Sequence, residues 1–380
     1  NFLMVEVIIY IGTFSTVVYL LILLYLMIGM MRTRVELVDA EPFISIIVAA
    51  HNEGENIKNC LDSLLNLDYP DEKIEIIIVN DRSKDDTGMI LDGYNKKCNY
   101  LNIIEIKNEN DRKIDKKINA LRTGINNSKG EIIITTDADC IVPSNWIKRI
   151  NSFFTSNTGM VVGLSPNVLT KWWLSGFLCI DALLADLIAY GSLGWGHAIT
   201  CTGRNLAYRR SVYNEIDGFS GIDHLMSVDD DVFMQKIAKN TSWEIKYMMT
   251  EDSVVKSPSS ENWAHFISQR KRYIASAKSF PFLVQLGYSL LYSSKFFILF
   301  SFIVALFANF SFNSHLILQL LTFIYTLLLF YFIAIKTNQI SLLILYPLWE
   351  LYYILSYLFI GPFGLFGHVN WDSRYDLNNR

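Results

Sequence analysis

The run IIITTDADC, residues 132–140, joins five β-branched residues to a pair of aspartates, Asp137 and Asp139. A strand with no polar face is expected where helices cover both sides of a parallel sheet. Side chains repeat every two residues along a strand, so the two carboxylates at its mouth point the same way. The segments before it follow the same plan: FISIIVAAH (43–51), NIKNCLDSLLNL (56–67), IEIIIVND (74–81), LNIIEIK (101–107) and KKINALRTGI (116–125). Short apolar runs alternating with polar, helix-like spans predict an α/β fold with a doubly wound, mostly parallel sheet. Ligands of such sheets bind beyond the carboxyl ends of the strands. There the sequence collects His51-Asn52-Glu53, Asn80-Asp81-Arg82 and Asp137-Ala138-Asp139.

The remaining composition points to a membrane. Of 380 residues, 51% are hydrophobic, and the net charge is only −4, which argues against nucleic acid as a partner. Val7 to Met31 carries no charged side chain, too long for the apolar part of a secretory signal and long enough to cross a bilayer. Arg32 and Arg34 follow it, so the chain beyond is expected on the cytoplasmic side. Further apolar segments at about Leu286 to Phe310, Leu316 to Ile335 and Leu342 to Phe366 predict a C-terminal membrane region. The last contains Pro347, Glu350 and Pro362; a carboxylate there should face protein or water, and the segment is expected to be broken or re-entrant near Pro347 and Glu350. The expected division is an N-terminal transmembrane helix over 1–33, a soluble domain over 42–265, an interfacial helix over 266–283 and a membrane region over 284–380. Trp172 to Ile199, interrupted by Asp181 and Asp186, reads either as an amphipathic element on the membrane surface or as a core helix. The five cysteines form no C-x-x-C pair, which gives no sign of a disulfide framework or a zinc site.

Several residues have chemistry to offer. Asp137 and Asp139 form a hard, oxygen-only ligand pair suited to Mg²⁺ or Mn²⁺ held jointly with a diphosphate, although a solvated turn would use the same residues. Asp81 ends a strand before RSKDDTG and could read a base and ribose, or close an Asx turn. Glu53 stands where a strand hands over to a helix, and Lys117 could neutralise a phosphate. Asp229, Asp230 and Asp231 are consecutive at a helix start; one or two would suit the macrodipole, whereas the third is free to act as a general base. In ISQRKRYIASAK, Gln269, Arg272 and Tyr273 share one helical face, while Arg270, Lys271 and Lys278 read as a basic segment against anionic lipid.

In order, IIVAAHNE, VNDRSKDDT, K-x-x-A-L-x-x-G, TTDAD, CTGRNLAYRR, the Asp229 to Asp231 cluster and Q-R-K-R-Y resemble the membrane-anchored family 2 glycosyltransferases. That group includes cellulose, chitin and hyaluronan synthases and, more distantly, ceramide glucosyltransferases. The resemblance runs from about Phe43 to Tyr273. It implies a GT-A fold with a mixed, mostly parallel sheet, and inverting transfer from a nucleoside diphosphate sugar, usually a UDP sugar, to a lipid or glycan acceptor. By position, Glu53 and Asp81 match residues that hold uridine, and Lys117 matches a contact to the diphosphate. Asp137 and Asp139 match the D-x-D pair that serves nucleotide and metal. Asp230 falls on the catalytic base, with Asp231 the rival reading and Asp229 where a glutamate is usual. Gly203 to Arg210 is similar to the acceptor-side G-x-x-x-x-Y-R-R pattern. Gln269, Arg272 and Tyr273 match Q-x-x-R-W, with tyrosine where tryptophan is usual in processive enzymes, and the tail NWDSRY resembles W-x-x-R-Y. The expected protein is a multi-pass inner-membrane transferase with a cytoplasmic catalytic domain. A processive polysaccharide synthase and a non-catalytic membrane scaffold are the alternatives.

Overall fold

The computed structural model describes residues 2–33, 36–95, 98–107, 116–223, 229–308 and 314–366. A seven-stranded sheet forms its centre, in the order β3-β2-β1-β4-β7-β5-β8. Its strands are β1 (Ile44–Ala50), β2 (Ile74–Asp81), β3 (Leu101–Ile106), β4 (Ile132–Asp137), β5 (Thr158–Gly163), β7 (Leu206–Arg209) and β8 (Glu244–Met248); β6 (Asn167–Val168) and β9 (Ser257–Pro258) pair separately. β7 runs antiparallel to β4 and β5, and every other pairing in the large sheet is parallel. The mixed, mostly parallel sheet of a GT-A fold is therefore present.

Helices cover both faces. α2 (Ile57–Leu64), α3 (Thr87–Tyr94) and α5 (Trp146–Ser152) bury Ile44, Ile46, Val48, Ile76 and Ile78 on one side. The alternate residues Ile47, Ile77, Val79 and Ile133 pack under α4 (Lys116–Asn126) and α8 (Asp229–Asn240) on the other. Gly124 of α4 sits where a Cβ would lie 2.5 Å from the Ile47 side chain, so α4 lies close enough to the sheet to bring its first turn to the strand ends. α7 (Arg210–Glu215) follows β7.

The second core does not stop at the domain. It continues through α6 (Ser175–Leu193) into Tyr19, Leu23 and Leu26 of α1 (Phe2–Arg32), Leu291 of α10 (Phe282–Phe307), Phe330 of α11 (Ser314–Thr337) and Trp349 of α12 (Tyr346–Phe366). α9 (Trp263–Ser276) packs beside α12. Among the described residues five helices, α1, α6, α10, α11 and α12, are long and apolar enough to cross a membrane.

α6 is the one that sequence alone resolved poorly. Of the two readings of Trp172 to Ile199 it takes the second, a core helix, with most of its residues buried. Asp186 accepts a 2.8 Å hydrogen bond from Tyr247 in the sheet, and Asp181 accepts one of 2.7 Å from Trp349 Nε1 of α12. At its other end, Gly191 and Gly194 meet Gly29 near the C-terminus of α1; a Cβ on Gly194 would fall 1.8 Å from the Gly29 carbonyl oxygen. α6 thus packs between the sheet and the helices α1 and α12, with most of its residues buried.

The C-terminal helix differs from expectation. The chain turns through Ile340–Leu345, and α12 then runs unbroken past Pro347 and Glu350. Pro347 occupies the first turn, where the missing N–H has no intrahelical partner to lose. Glu350 does face protein: both its oxygens bond Lys295 of α10, at 2.6 and 2.7 Å. The tail carrying NWDSRY lies outside the described residues.

Candidate active site

β1, β2 and β4 end level with one another, with Ala50 beside Asn80 and Ala49 beside Asp137. Their carboxyl ends therefore form one edge, with Asp81 and Asp137 on strands about 10 Å apart across β1. Two non-glycine residues just past these ends adopt left-handed backbone, Asn52 (φ 54°) and Arg82 (φ 56°). Such residues are uncommon and cluster at ligand sites. They let the two loops interlock: Asn52 N–H donates to Ser83 Oγ at 2.9 Å, and Lys84 N–H to Asn52 Oδ1 at 2.7 Å.

Glu53 is 9% exposed, and its carboxylate accepts from Asn56 Nδ2 at 3.1 Å. Asp81 is fully buried, and Arg82 grips both its oxygens at 2.7 and 3.0 Å. Sequence reading missed that pair, because neighbouring residues on a strand normally face opposite ways; the left-handed turn at Arg82 brings the guanidinium back.

Lys117, in the first turn of α4, holds the site together. Its Nζ lies 3.1 Å from Asp137 Oδ1 and 3.9 Å from Asp230 Oδ2. One cation thus joins the end of β4 to the start of α8, although these lie far apart in sequence. Asp139 accepts long hydrogen bonds from Ser257 Oγ and Cys140 Sγ, both 3.4 Å. Beneath the two acids, Arg204 donates to Asn167 Oδ1 and the Ser165 carbonyl, both at 2.8 Å, and lies within electrostatic reach of Asp137, Asp139 and Tyr273. Burial, with Asp139 and Asp137 adding to it, pushes the Cys140 thiol well up, so it stays protonated.

The consecutive acids at α8 divide their tasks. Asp231 Oδ1 accepts from Cys201 N–H at 2.7 Å and from Thr200 Oγ1 at 3.0 Å, which ties down the loop before β7. Asp230 Oδ2 accepts from Gly203 N–H at 2.9 Å and faces Lys117. The Asp229 side chain lies outside the described residues. A Cβ on Gly203 would lie 2.3 Å from either Asp230 oxygen. Gly203→Ala should displace that carboxylate and cut turnover at least about tenfold with the fold intact, since small misplacements of reacting groups are costly; activity against a circular dichroism control measures it.

On α9, Gln269 Oε1 accepts from Ser260 Oγ at 3.3 Å, and Tyr273 is 53% exposed on the side of Arg204. Arg272 stands three residues on from Gln269 on the same helix. Arg270 overturns the lipid-gripping reading: it is 5% exposed and paired with Asp181 of α6, with Tyr352 Oη 3.1 Å away. Its partner is 89 residues distant, which no local pattern reveals.

The donor set at Asp137 and Asp139 is all carboxylate oxygen, the chemistry a hard divalent cation takes. A hard divalent cation held by one or two carboxylates completes its shell with water and with substrate phosphate oxygens. The pair fits Mg²⁺ or Mn²⁺ on those terms.

Comparison with known proteins follows the same lines. The family model Glycosyl transferase family 2 matches residues 45–217, and Glycosyl transferase family group 2 matches residues 132–360. The probable glycosyltransferase YdaM of Bacillus subtilis is 28% identical over 241 residues, 61% of this chain and 54% of that protein. The poly-beta-1,6-N-acetyl-D-glucosamine synthase of Staphylococcus epidermidis is 28% identical over 215 residues, 56% of this chain and 44% of that one. The chain therefore spans about half the length of these relatives. The mannosyltransferase PcManGT of Pyrobaculum calidifontis, solved with GDP-Man and Mn²⁺, shares the fold at a TM-score of 0.59 and 17% identity, covering 92% of this chain and 99% of that one. With a doubly wound sheet whose strand ends gather acids around one lysine, and a family model matched across more than half its length, the chain belongs to the family 2 glycosyltransferases.

Proposed function

We propose that the protein transfers a sugar from a nucleoside diphosphate donor, a UDP sugar, to a lipid or glycan acceptor at the cytoplasmic face of the inner membrane, with inversion at the anomeric carbon. The observation that supports this reading most is Lys117, whose Nζ lies 3.1 Å from Asp137 and 3.9 Å from Asp230 and so stands between the acid read as serving the diphosphate and the acid read as the base. Glu53 and Asp81 hold the uridine at the ends of β1 and β2, and Arg82 moves with Asp81. Lys117 offsets negative charge on the departing diphosphate. Asp230 takes the acceptor hydroxyl's proton as its oxygen attacks the face opposite the leaving group. Gln269, Arg272 and Tyr273 close over the donor from α9. Mg²⁺ or Mn²⁺ at Asp137 and Asp139, bound jointly with the diphosphate, would supply Lewis-acid stabilisation of the leaving group.

The four apolar helices α1, α10, α11 and α12 support a multi-pass anchor, and the 42–265 domain would sit on its cytoplasmic side. A donor screen by nucleoside diphosphate release, with membrane extract as acceptor, tests the whole reading. Release of UDP from a UDP sugar is expected. Failure with every donor, together with no calorimetric binding of UDP and Mn²⁺, would instead mark a scaffold. Products of many sugars would identify a processive synthase.

A further inference from the structure

α6 carries a carboxylate that the proposed transfer does not use. Ala182, Ala185, Asp186 and Ala189 stand at i, i+3, i+4 and i+7 and so share one face of that helix. Three methyl side chains leave space beside them, and a cavity of about 40 Å³ lies against this face. Residues 200–202 and Arg204, in the loop before β7, line the same cavity. Asp186 is 6% exposed: Tyr247 donates to its Oδ1 at 2.8 Å, whereas Oδ2 makes no hydrogen bond of ordinary geometry among the described residues. A buried carboxylate oxygen without a partner is costly.

The same loop aims the acids of α8. Thr200 Oγ1 and Cys201 N–H donate to Asp231 at 3.0 and 2.7 Å, and Gly203 N–H donates to Asp230 Oδ2 at 2.9 Å. Arg204 pins the end of this stretch. Its Nε donates to Thr202 Oγ1 at 3.1 Å, and its two Nη atoms donate to Asn167 Oδ1 and the Ser165 carbonyl, both at 2.8 Å. The donors that hold both acids therefore lie on a short stretch that borders the cavity. A water molecule needs ~10–15 Å³ and two to four polar partners, and Asp186, Thr200, Thr202 and Arg204 offer both the room and the partners. Ala185 is exposed, so solvent has a way in.

We propose that Asp186 is a positioning residue for the transfer step: through water held in this cavity its Oδ2 supports the 200–204 loop, and so fixes the aim of Asp230. This rests on the transferase reading with Asp230 as the base. Asp186 touches no substrate and acts only through the loop. Its other oxygen is anchored to β8 by Tyr247, so the sheet supplies the fixed point from which the loop is held. Misplacing a reacting group by ~1 Å can cost about 10²-fold in rate, which makes the footing of such a loop part of the catalytic geometry.

The test uses the full chain in nanodiscs and two variants of one residue. Asp186→Leu puts an apolar side chain of similar size against the cavity and removes the partner for its water, whereas Asp186→Asn keeps the shape and the hydrogen bonding. Asp186→Leu should lower kcat at least about tenfold while the donor KM and calorimetric UDP affinity stay within about twofold, the signature of an effect confined to the transition state. Asp186→Asn should bring kcat back to within about threefold of native. Hydrogen exchange reads the loop without any substrate: the amides of Cys201 and Gly203 should exchange at least about tenfold faster in Asp186→Leu, with those of β4 and β5 unchanged. Native kcat in Asp186→Leu, UDP affinity lost in step with kcat, an asparagine variant as impaired as the leucine one, or native exchange at Cys201 and Gly203 would each overturn the proposal. Should Asp186→Leu fail to fold, Tyr247→Phe takes its place, since it frees Asp186 from its anchor; native kcat and native loop exchange in that variant would count equally against the idea. If the native protein releases no nucleotide with any donor, the transferase reading fails by itself, and the exchange rates still decide whether Asp186 holds the loop.

Discussion

Asp230→Asn should lower sugar transfer by about 10²- to 10⁴-fold, the usual cost of losing a general base, while donor affinity stays within about twofold of native. The asparagine keeps the volume and can still accept from Gly203 N–H, the 2.9 Å bond that aims the native carboxylate. What it loses is the capacity to take a proton. Lys117, 3.9 Å from Asp230 and 3.1 Å from Asp137, retains the closer of its two anionic partners, so the diphosphate contact survives. Asp231→Asn makes the contrast. Its carboxylate serves Cys201 N–H and Thr200 Oγ1, so that change should cost some stability and only a modest part of the rate. Product formation by thin-layer chromatography, beside calorimetric UDP binding, separates the two. Near-normal turnover by Asp230→Asn would remove the base from the mechanism and hand the role to Asp231.

Arg270→Met should be the most damaging change away from the cleft, at about 3–5 kcal/mol, because it strands Asp181 in a dry interface. Asp181 is enclosed by Trp349 Nε1 at 2.7 Å and Tyr352 Oη at 3.3 Å, neither of which can replace a positive charge. Arg270 also lies 5.4 Å over the Phe266 ring, so the methionine keeps part of the packing and loses the charge. The midpoint of thermal unfolding in detergent should fall by on the order of 10 °C. Asp181→Asn combined with Arg270→Met should recover most of that loss, since a buried pair replaced as a unit is often close to neutral. No recovery in the double variant would show that the charge pair is not what holds α9, α6 and α12 together.

How far the sequence reveals this arrangement depends on how local each feature is. Ile44 to Ala50, Ile74 to Asp81 and Ile132 to Asp137 declare themselves as strands because both faces of the sheet are covered and every side chain is free to be apolar. Glu53, Asp81, Lys117, Asp137 and Asp230 stand at element ends, and ends of elements are legible from composition. The pairing of Arg82 with Asp81 needs a left-handed backbone that an arginine does not advertise. Arg270 looks like surface because its partner, Asp181, lies in another helix, and a charged residue is apolar in context only when that partner is known. α6 stays open between two readings for the opposite reason: a largely hydrophobic helix reads alike whether lipid or protein surrounds it. Lys295 sits inside an otherwise apolar span, and only Glu350 on a different helix explains it.

The uninterrupted interior that runs from Val79 under the sheet through α6 to Trp349 has a consequence for biosynthesis. α11 and α12, the final helices described, pack against α6 and contribute Phe330, Ile333 and Trp349 to that interior. A nascent polypeptide halted by the ribosome before about residue 346 would carry complete strand-end loops on an unfinished foundation, with greasy surface open to chaperones and proteases. Maturation of the sheet's underside is thereby tied to helices synthesised long after the strands themselves.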